Sequence, residues 1–374
     1  MNYIIKVTDG CNMHCKYCCV GDKNEYGIIS EEQLCQNMKF AAENSTARKE
    51  TAANIIFHGG EPTLVKAEIY RKAIENIVHE YPEFHFCWKM QTNGFLIPES
   101  FIDLFAEYHF GIGVSLDGFA SYHDSIRLDC NGNATFDRII KNILHMKERG
   151  ISVSVLMVVT AMTEKEYSFL DFLNENHISV KINPLIECGE AEQEQNMWLK
   201  PLEYADYMIG VFEYMIRNKL TIDIEPLNNI FHMLIHPEYS AECTFSGNCF
   251  SKFLAIDYKG NLYPCGRFCD SHMFGLGNTA YTTVPVNPHE DHRSFLSDKC
   301  HSCHYEKICH GGCPFMVWNQ GEKKNPMCQD YQKLFDYLID DGIRLIQSQL
   351  SERREQLYNE TFRKHKIRTP DDEY

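Results

Sequence analysis

Up to residue 225, short apolar runs alternate with longer amphipathic stretches. The runs Ile4–Val7, Asn54–His58, His85–Gln91, Gly111–Leu116, Ser152–Val159 and Ser179–Asn183 have the length and the β-branched or aromatic content of strands. Between them, apolar residues recur at helical spacing near Glu31–Asn44, Lys66–Tyr81, Glu99–Tyr108, Thr135–Arg149 and Glu164–Asn176. Regular alternation of strand and helix predicts an α/β fold built on a parallel sheet. Six such units predict a partial (β/α)6 TIM-type barrel, two short of a complete one. A further helix near Leu202–Arg217 is expected to close this portion, after an acidic surface loop at 187–195.

From about Cys243 the pattern changes. Cysteines become dense and helical spacing is lost. The segment 253–263 reads as a hairpin turning at Lys259-Gly260-Asn261. Gln329–Tyr358 is helical in pattern, and the charged tail to Tyr374 is expected to be mobile. The expected domains are 1–225 (barrel), 226–335 (a small cysteine-rich domain) and 336–374 (a C-terminal helix and tail).

Composition narrows the function. With 36 Lys and Arg against 52 Asp and Glu, the formal charge is −16, which argues against nucleic-acid binding. A neutral or basic substrate approaches such a surface more easily than an acidic one. No stretch has the length of a membrane span, and no secretory signal precedes the first strand. Seventeen cysteines in such a chain point to metal ligation in the cytoplasm rather than to disulfides.

The chemistry begins right after the first strand, at Cys11-x3-Cys15-x2-Cys18. Three thiolates can hold three irons of a four-iron, four-sulfur cluster and leave the fourth iron open, whereas a structural cluster or zinc site takes four protein ligands. In a βα barrel the active site forms at the C-terminal ends of the strands, where this loop lies. Other strand ends carry Gly59-Gly60-Glu61-Pro62, Gln91-Thr92-Asn93-Gly94 and Ser115-Leu116-Asp117-Gly118. Paired glycines let a backbone approach a ligand closely, and the Glu61 carboxylate could face an ammonium. Eight later cysteines form an ordered series: Cys243, Cys249, Cys265, then Cys300-x2-Cys303-x5-Cys309-x3-Cys313, and Cys328. Eight thiolates suffice for two fully ligated clusters, although Cys300-x2-Cys303 alone also suits a zinc knuckle.

Together these motifs resemble the radical S-adenosylmethionine (SAM) enzymes that carry a SPASM extension, and the resemblance reaches to about residue 335. It implies three 4Fe-4S clusters and SAM. It assigns Cys11, Cys15 and Cys18 to the SAM-binding cluster, the Gly59-Gly60-Glu61 loop to the amino group of SAM, Ser115 to its polar groups and Arg127 to its carboxylate. Tyr17 would lie at the adenine edge and Ile186 on the adenine face. Cys243, Cys249, Cys265 and Cys313 would hold auxiliary cluster I, and Cys300, Cys303, Cys309 and Cys328 auxiliary cluster II. The implied partners are a precursor peptide and an electron donor such as flavodoxin or ferredoxin.

The pattern is close to the anaerobic sulfatase maturases, which oxidise Cys or Ser to formylglycine. Those enzymes carry an aspartate base directly after the Tyr-Pro-Cys cysteine, where this chain has Gly266. The reading preferred here is therefore a peptide maturase that crosslinks side chains, with a thioether ahead of a carbon–carbon bond. Asp270 or Asp257 could replace the missing base, which keeps the formylglycine alternative. A non-catalytic electron carrier would not need a cluster with only three protein ligands.

Overall fold

The computed structural model describes residues 1–20, 26–236, 239, 241, 243–282, 285, 296–319, 321 and 324–365. The tail expected to be mobile lies outside them from residue 366 onward. The strands are β1 (Asn2–Lys6), β2 (Met13–Cys15), β3 (Ala52–His58), β4 (His85–Thr92), β5 (Gly111–Ser115), β6 (Arg127–Asp129), β7 (Ser152–Val159), β8 (Ser179–Pro184), β9 (Ile224–Glu225), β10 (Phe253–Ile256), β11 (Asn261–Tyr263) and β12 (Gly277–Asn278). Helices α1 (Glu31–Ala47), α2 (Ala67–Glu80), α3 (Glu99–Glu107), α4 (Ala120–Ile126), α5 (Phe136–Glu148), α6 (Phe169–Glu175), α7 (Glu203–Asn218) and α8 (Leu227–Ile235) connect or follow the barrel strands.

Ten strands form one open sheet in the order β12-β11-β10-β1-β3-β4-β5-β7-β8-β9. Every neighbour from β10 through β9 is parallel, and β10-β11 and β11-β12 are antiparallel. The mixed α/β architecture with a parallel barrel sheet is thus the one the strand–helix alternation predicts. The sheet does not stop at the sixth barrel strand. β9 extends one edge beyond α7, and the 253–263 hairpin adds β10 and β11 beside β1. Hydrogen bonding therefore runs unbroken across the expected boundary at residue 225/226. The C-terminal helical segment is also longer than expected, running from Cys328–Tyr337 through a wide turn at 338–342 into Ile343–His365.

Local sequence accounts for the elements. Ser30 caps α1 by accepting from the Gln33 N–H at 3.1 Å, and Glu31 and Glu32 complement the positive helix terminus. Along β3 and β7 alternate residues are buried, so one face packs under the helices and the other lines the barrel lumen. Under the helices, Phe57 packs edge-on to Tyr70 at 4.9 Å and parallel to Phe110 at 6.0 Å. Among the described residues, no helix is long and apolar enough to cross a membrane. None of the seventeen cysteines is in a disulfide.

Candidate active site in the barrel lumen

The three-cysteine loop is held from both sides. On one side, β2 pairs antiparallel with β6, which places Cys15 opposite Arg127. On the other, the loop after β3 packs directly on residues 8–10: Gly60 N–H donates to the Thr8 carbonyl at 2.7 Å and Glu61 N–H to that of Gly10 at 2.8 Å. A Cβ on Gly59 would sit 2.3 Å from the Thr8 oxygen, and one on Gly60 would sit 2.1 Å from the Gly10 oxygen. Gly59 also holds φ at +149°. The close approach these glycines permit is thus between two stretches of the chain itself.

Glu61 is fully buried. Its Oε1 accepts from Thr63 N–H at 3.0 Å, Thr63 Oγ1 at 2.7 Å and Thr92 Oγ1 at 2.7 Å; its Oε2 accepts from Asn93 N–H at 2.7 Å. Burial raises its pKa, and the four donors oppose that rise. The carboxylate locks the ends of β3 and β4 together, and four donors fill its usual accepting capacity. Asn93 continues the connection: its Nδ2 donates to Asn12 Oδ1 at 2.7 Å and lies 3.6 Å from Cys11 Sγ. The cysteine loop, the Gly59–Glu61 loop and the end of β4 therefore form one hydrogen-bonded unit.

A second buried group stands opposite. Tyr17 donates its hydroxyl hydrogen to Asp117 and accepts from Arg127 Nη1. Asp117, also fully buried, accepts from Val158 N–H at 2.8 Å and lies 3.8 Å from Arg127. Burial alone would lower the Arg127 pKa, but Cys15, Tyr17 and Asp117 reverse that and keep the guanidinium charged. Arg127 Nε and Asn12 Nδ2 are buried with no hydrogen-bond partner. Two orphaned donors beside the cysteine loop suit an anionic group, the character of the SAM carboxylate. Ser115 accepts from Gln91 Nε2 at 3.1 Å at the lumen ends of β4 and β5. Half-buried Ile186 lines a cavity of about 210 Å³ with Leu199, Met316 and Asn319.

The cysteines fall into three neighbourhoods. Cys11 is pushed up to about 12 by burial and by Glu61, with Cys15 and Cys18 adding to it. Burial raises Cys249, reinforced by Cys313, Cys243 and Cys265. Burial likewise raises Cys309 to about 12, reinforced by Cys328, Cys303 and Cys300. Cys300, Cys303, Cys309 and Cys328 line one cavity of about 160 Å³. A single zinc ion would need its sulfurs about 2.3 Å from one point; among the described residues no three His, Cys, Asp or Glu side chains are grouped so tightly. Between Cys309 and Cys313 the chain turns through three left-handed residues, His310, Gly311 and Gly312, which separates the two cysteines into different neighbourhoods. Arg267 Nη1 lies 3.9 Å from Cys313 Sγ, and Gln332 Nε2 lies 3.6 Å from Cys303 Sγ.

The two candidate bases differ. Asp257 accepts from Lys259 N–H at 2.9 Å, Asn261 N–H at 2.8 Å and Asn261 Nδ2 at 2.8 Å, so both its oxygens serve the hairpin turn. Asp270, at the end of the short helix Gly266–Asp270, pairs with Lys6 at the end of β1. Lys6 is fully buried; burial alone would lower its pKa, and the Asp270 charge reverses that. Gly266 and Asp270 are one helical turn apart on one face. A Cβ on Gly266 would lie 3.5 Å from Ile4 and 3.7 Å from Lys6 Cε, in ordinary contact.

Sequence reasoning missed Asn93 as a neighbour of Cys11, and Lys6 as the partner of Asp270. It read Lys6 only as one residue of an apolar run. An isolated lysine in a buried strand was the available signal.

Residues 5–173 match the profile of the Radical SAM superfamily. The chain carries a radical SAM domain. The cysteine-type anaerobic sulfatase-maturating enzyme of Clostridium perfringens is 27% identical over 370 residues, covering 90% of this chain and 96% of that protein. The solved structure of native anSMEcpe with bound AdoMet and Kp18Cys peptide superposes with a TM-score of 0.80 at 26% identity, covering 94% of this chain and 99% of that one. Streptococcus suis SuiB bound to precursor peptide SuiA shares the fold, with a TM-score of 0.63 at 19% identity over 87% of this chain and 73% of that one. The protein is thus a radical SAM enzyme of the oxidoreductase type, and radical SAM chemistry works with SAM and a 4Fe-4S cluster.

Proposed function

We propose that this radical SAM enzyme oxidises a side chain of a ribosomally made peptide and crosslinks it, through a thioether ahead of a carbon–carbon bond. The observation that carries this reading is the grouping of the cysteines, three in one neighbourhood and four in each of two others. In this reading Cys11, Cys15 and Cys18 hold the SAM-binding cluster, and the other two neighbourhoods hold auxiliary clusters. The residues present fit them: none of these thiols is in a disulfide, and each lies half-buried or buried.

When bound, SAM and its cluster supply a 5′-deoxyadenosyl radical that takes a hydrogen atom from a substrate carbon, and an auxiliary cluster supplies an acceptor for the surplus electron. The chain's own residues do the rest. Arg127 and Asn12 offer their unpartnered donors to the SAM carboxylate, and Asp117 and Tyr17 fix Arg127 in place. Ser115 offers its hydroxyl to SAM, Tyr17 flanks the adenine edge, and Ile186 packs against its face. Gly59 and Gly60 present the loop backbone to the SAM amino group, and Glu61 holds that loop rigid. Asp270, whose pKa burial raises against the opposing pull of Lys6, is the better placed of the two carboxylates to accept the substrate proton, because Asp257 is occupied by its own turn. A reduced flavodoxin or ferredoxin is the expected electron source, and free thiols fit a cytoplasmic setting.

Gly266 favours crosslinking, because no carboxylate directly follows Cys265. A second reading, oxidation of Cys or Ser to formylglycine, is favoured by the similarity to the C. perfringens enzyme and by the Asp270 carboxylate one turn further on. Anaerobic reaction with the small peptide encoded beside the gene tests both. Loss of two hydrogens together with one free thiol supports a thioether, and loss of two hydrogens with thiols intact supports a carbon–carbon bond. A new aldehyde supports formylglycine, and an unchanged peptide in the presence of SAM cleavage rejects peptide maturation.

A further inference from the structure

A cavity of about 310 Å³ opens at the β8–β9 edge of the sheet. β8 contributes Lys181 and Asn183, the residues of its less buried face. Tyr204, Tyr239, Phe245 and Tyr331 form aromatic walls, and Cys243 borders it. Among the described residues of the lining, Glu225 carries the one carboxylate. It sits on β9 directly across from Lys181 in the parallel register. Its Oε2 is buried and has no hydrogen-bond partner. Burial raises the Glu225 pKa, and a hydrogen bond from the Asn229 backbone N–H opposes that rise; Lys181 and His232 act on it only as through-space charges, and Asp223 opposes them.

A buried carboxylate oxygen without a partner, on a side chain that lines a cavity, is costly unless something binds it. The cavity chemistry specifies the partner. Aromatic walls suit an aliphatic stem and favour a cation over their faces. One free carboxylate oxygen suits one charge-assisted N–H donor. The −16 formal charge of the chain draws cations to the protein in general. We propose that this cavity is a specificity subsite for a basic side chain, lysine or arginine, of the polypeptide substrate, with Glu225 as its anionic end. The inference rests on the substrate being a polypeptide.

The test is equilibrium binding of blocked amino acids to the anaerobic, cluster-loaded enzyme by calorimetry. Nα-acetyl-arginine amide and Nα-acetyl-lysine amide are compared with Nα-acetyl-citrulline amide, a neutral match to arginine. At least one basic amide should bind about tenfold more tightly than citrulline, and Glu225→Gln should remove that preference, as loss of one charge-assisted bond predicts. Glu225→Asp, which keeps the charge, should retain part of it. Iron content and SAM affinity of both variants should match the parent, which separates subsite loss from misfolding. Equal binding of the basic and citrulline amides, or a preference that survives in Glu225→Gln, would overturn the proposal. These probes need no turnover, so a failure of peptide oxidation and a failure of the subsite are read separately.

Discussion

Glu61 distinguishes two physical roles that one carboxylate could play, and Glu61→Gln separates them. The substitution keeps volume and one oxygen. It removes the charge and turns the group that faces the Asn93 N–H from acceptor into donor. One buried bond to a charged acceptor, typically about 1.5–3 kcal/mol, is replaced by two opposed donors. Local opening at the end of β4 should then become easier by about 10- to 100-fold, since about 1.4 kcal/mol is a factor of ten. Hydrogen exchange followed by mass spectrometry under anaerobic conditions reads this in peptides spanning 59–65 and 90–96. Exchange should rise in both segments and stay unchanged in α5, which has no bond to Glu61. SAM affinity should fall only as a consequence of the loosened loop. Unchanged exchange at Asn93 with a large loss of SAM affinity would refute the bracing role and make Glu61 a direct ligand.

Other predictions follow from the same geometry. Gly60→Ala should yield little folded protein, because the new methyl would sit 2.1 Å from the Gly10 oxygen, and soluble yield and circular dichroism check this. His123 is fully buried and burial holds it down at about 3, so the unfolded chain binds a proton that the folded one refuses. Its contribution is therefore present above pH 6.5 and falls by up to about 1.4 kcal/mol per pH unit as pH drops from there toward 3; His123→Gln should flatten the acid limb of the stability curve by one proton. Asp270→Asn should lower modified-peptide formation at least tenfold with SAM binding intact, and adding Gly266→Asp should restore part of it by returning a carboxylate to the same helix face beside Lys6.

The barrel was legible because its strands are long and periodic: Ser152–Val159 has the same limits in sequence and structure, and His85–Gln91 differs by one residue. The elements that position the site were not legible. β2 and β6 are three residues each and pair across more than a hundred positions, so neither carries a period to read. β9 has two residues. The hairpin at 253–263 is visible from its turn chemistry, but its parallel pairing with β1 is a tertiary fact. Charges were visible and their surroundings were not. Glu61 and Asp117 look alike as strand-end acids, and only the fold supplies the donors that enclose each of them. Lys6 was hidden because its partner Asp270 is contributed by a helix far along the chain.

The central claim is a cluster with three protein ligands whose open corner takes SAM. Electron paramagnetic resonance of the reduced, cluster-loaded protein tests it directly, with and without SAM. The signal of one cluster should shift on adding SAM, and the shift should vanish in the Cys11→Ala, Cys15→Ala, Cys18→Ala variant, which should retain the two proposed auxiliary clusters and so about eight of twelve irons. A spectrum indifferent to SAM, with no 5′-deoxyadenosine released under reduction, would contradict the account.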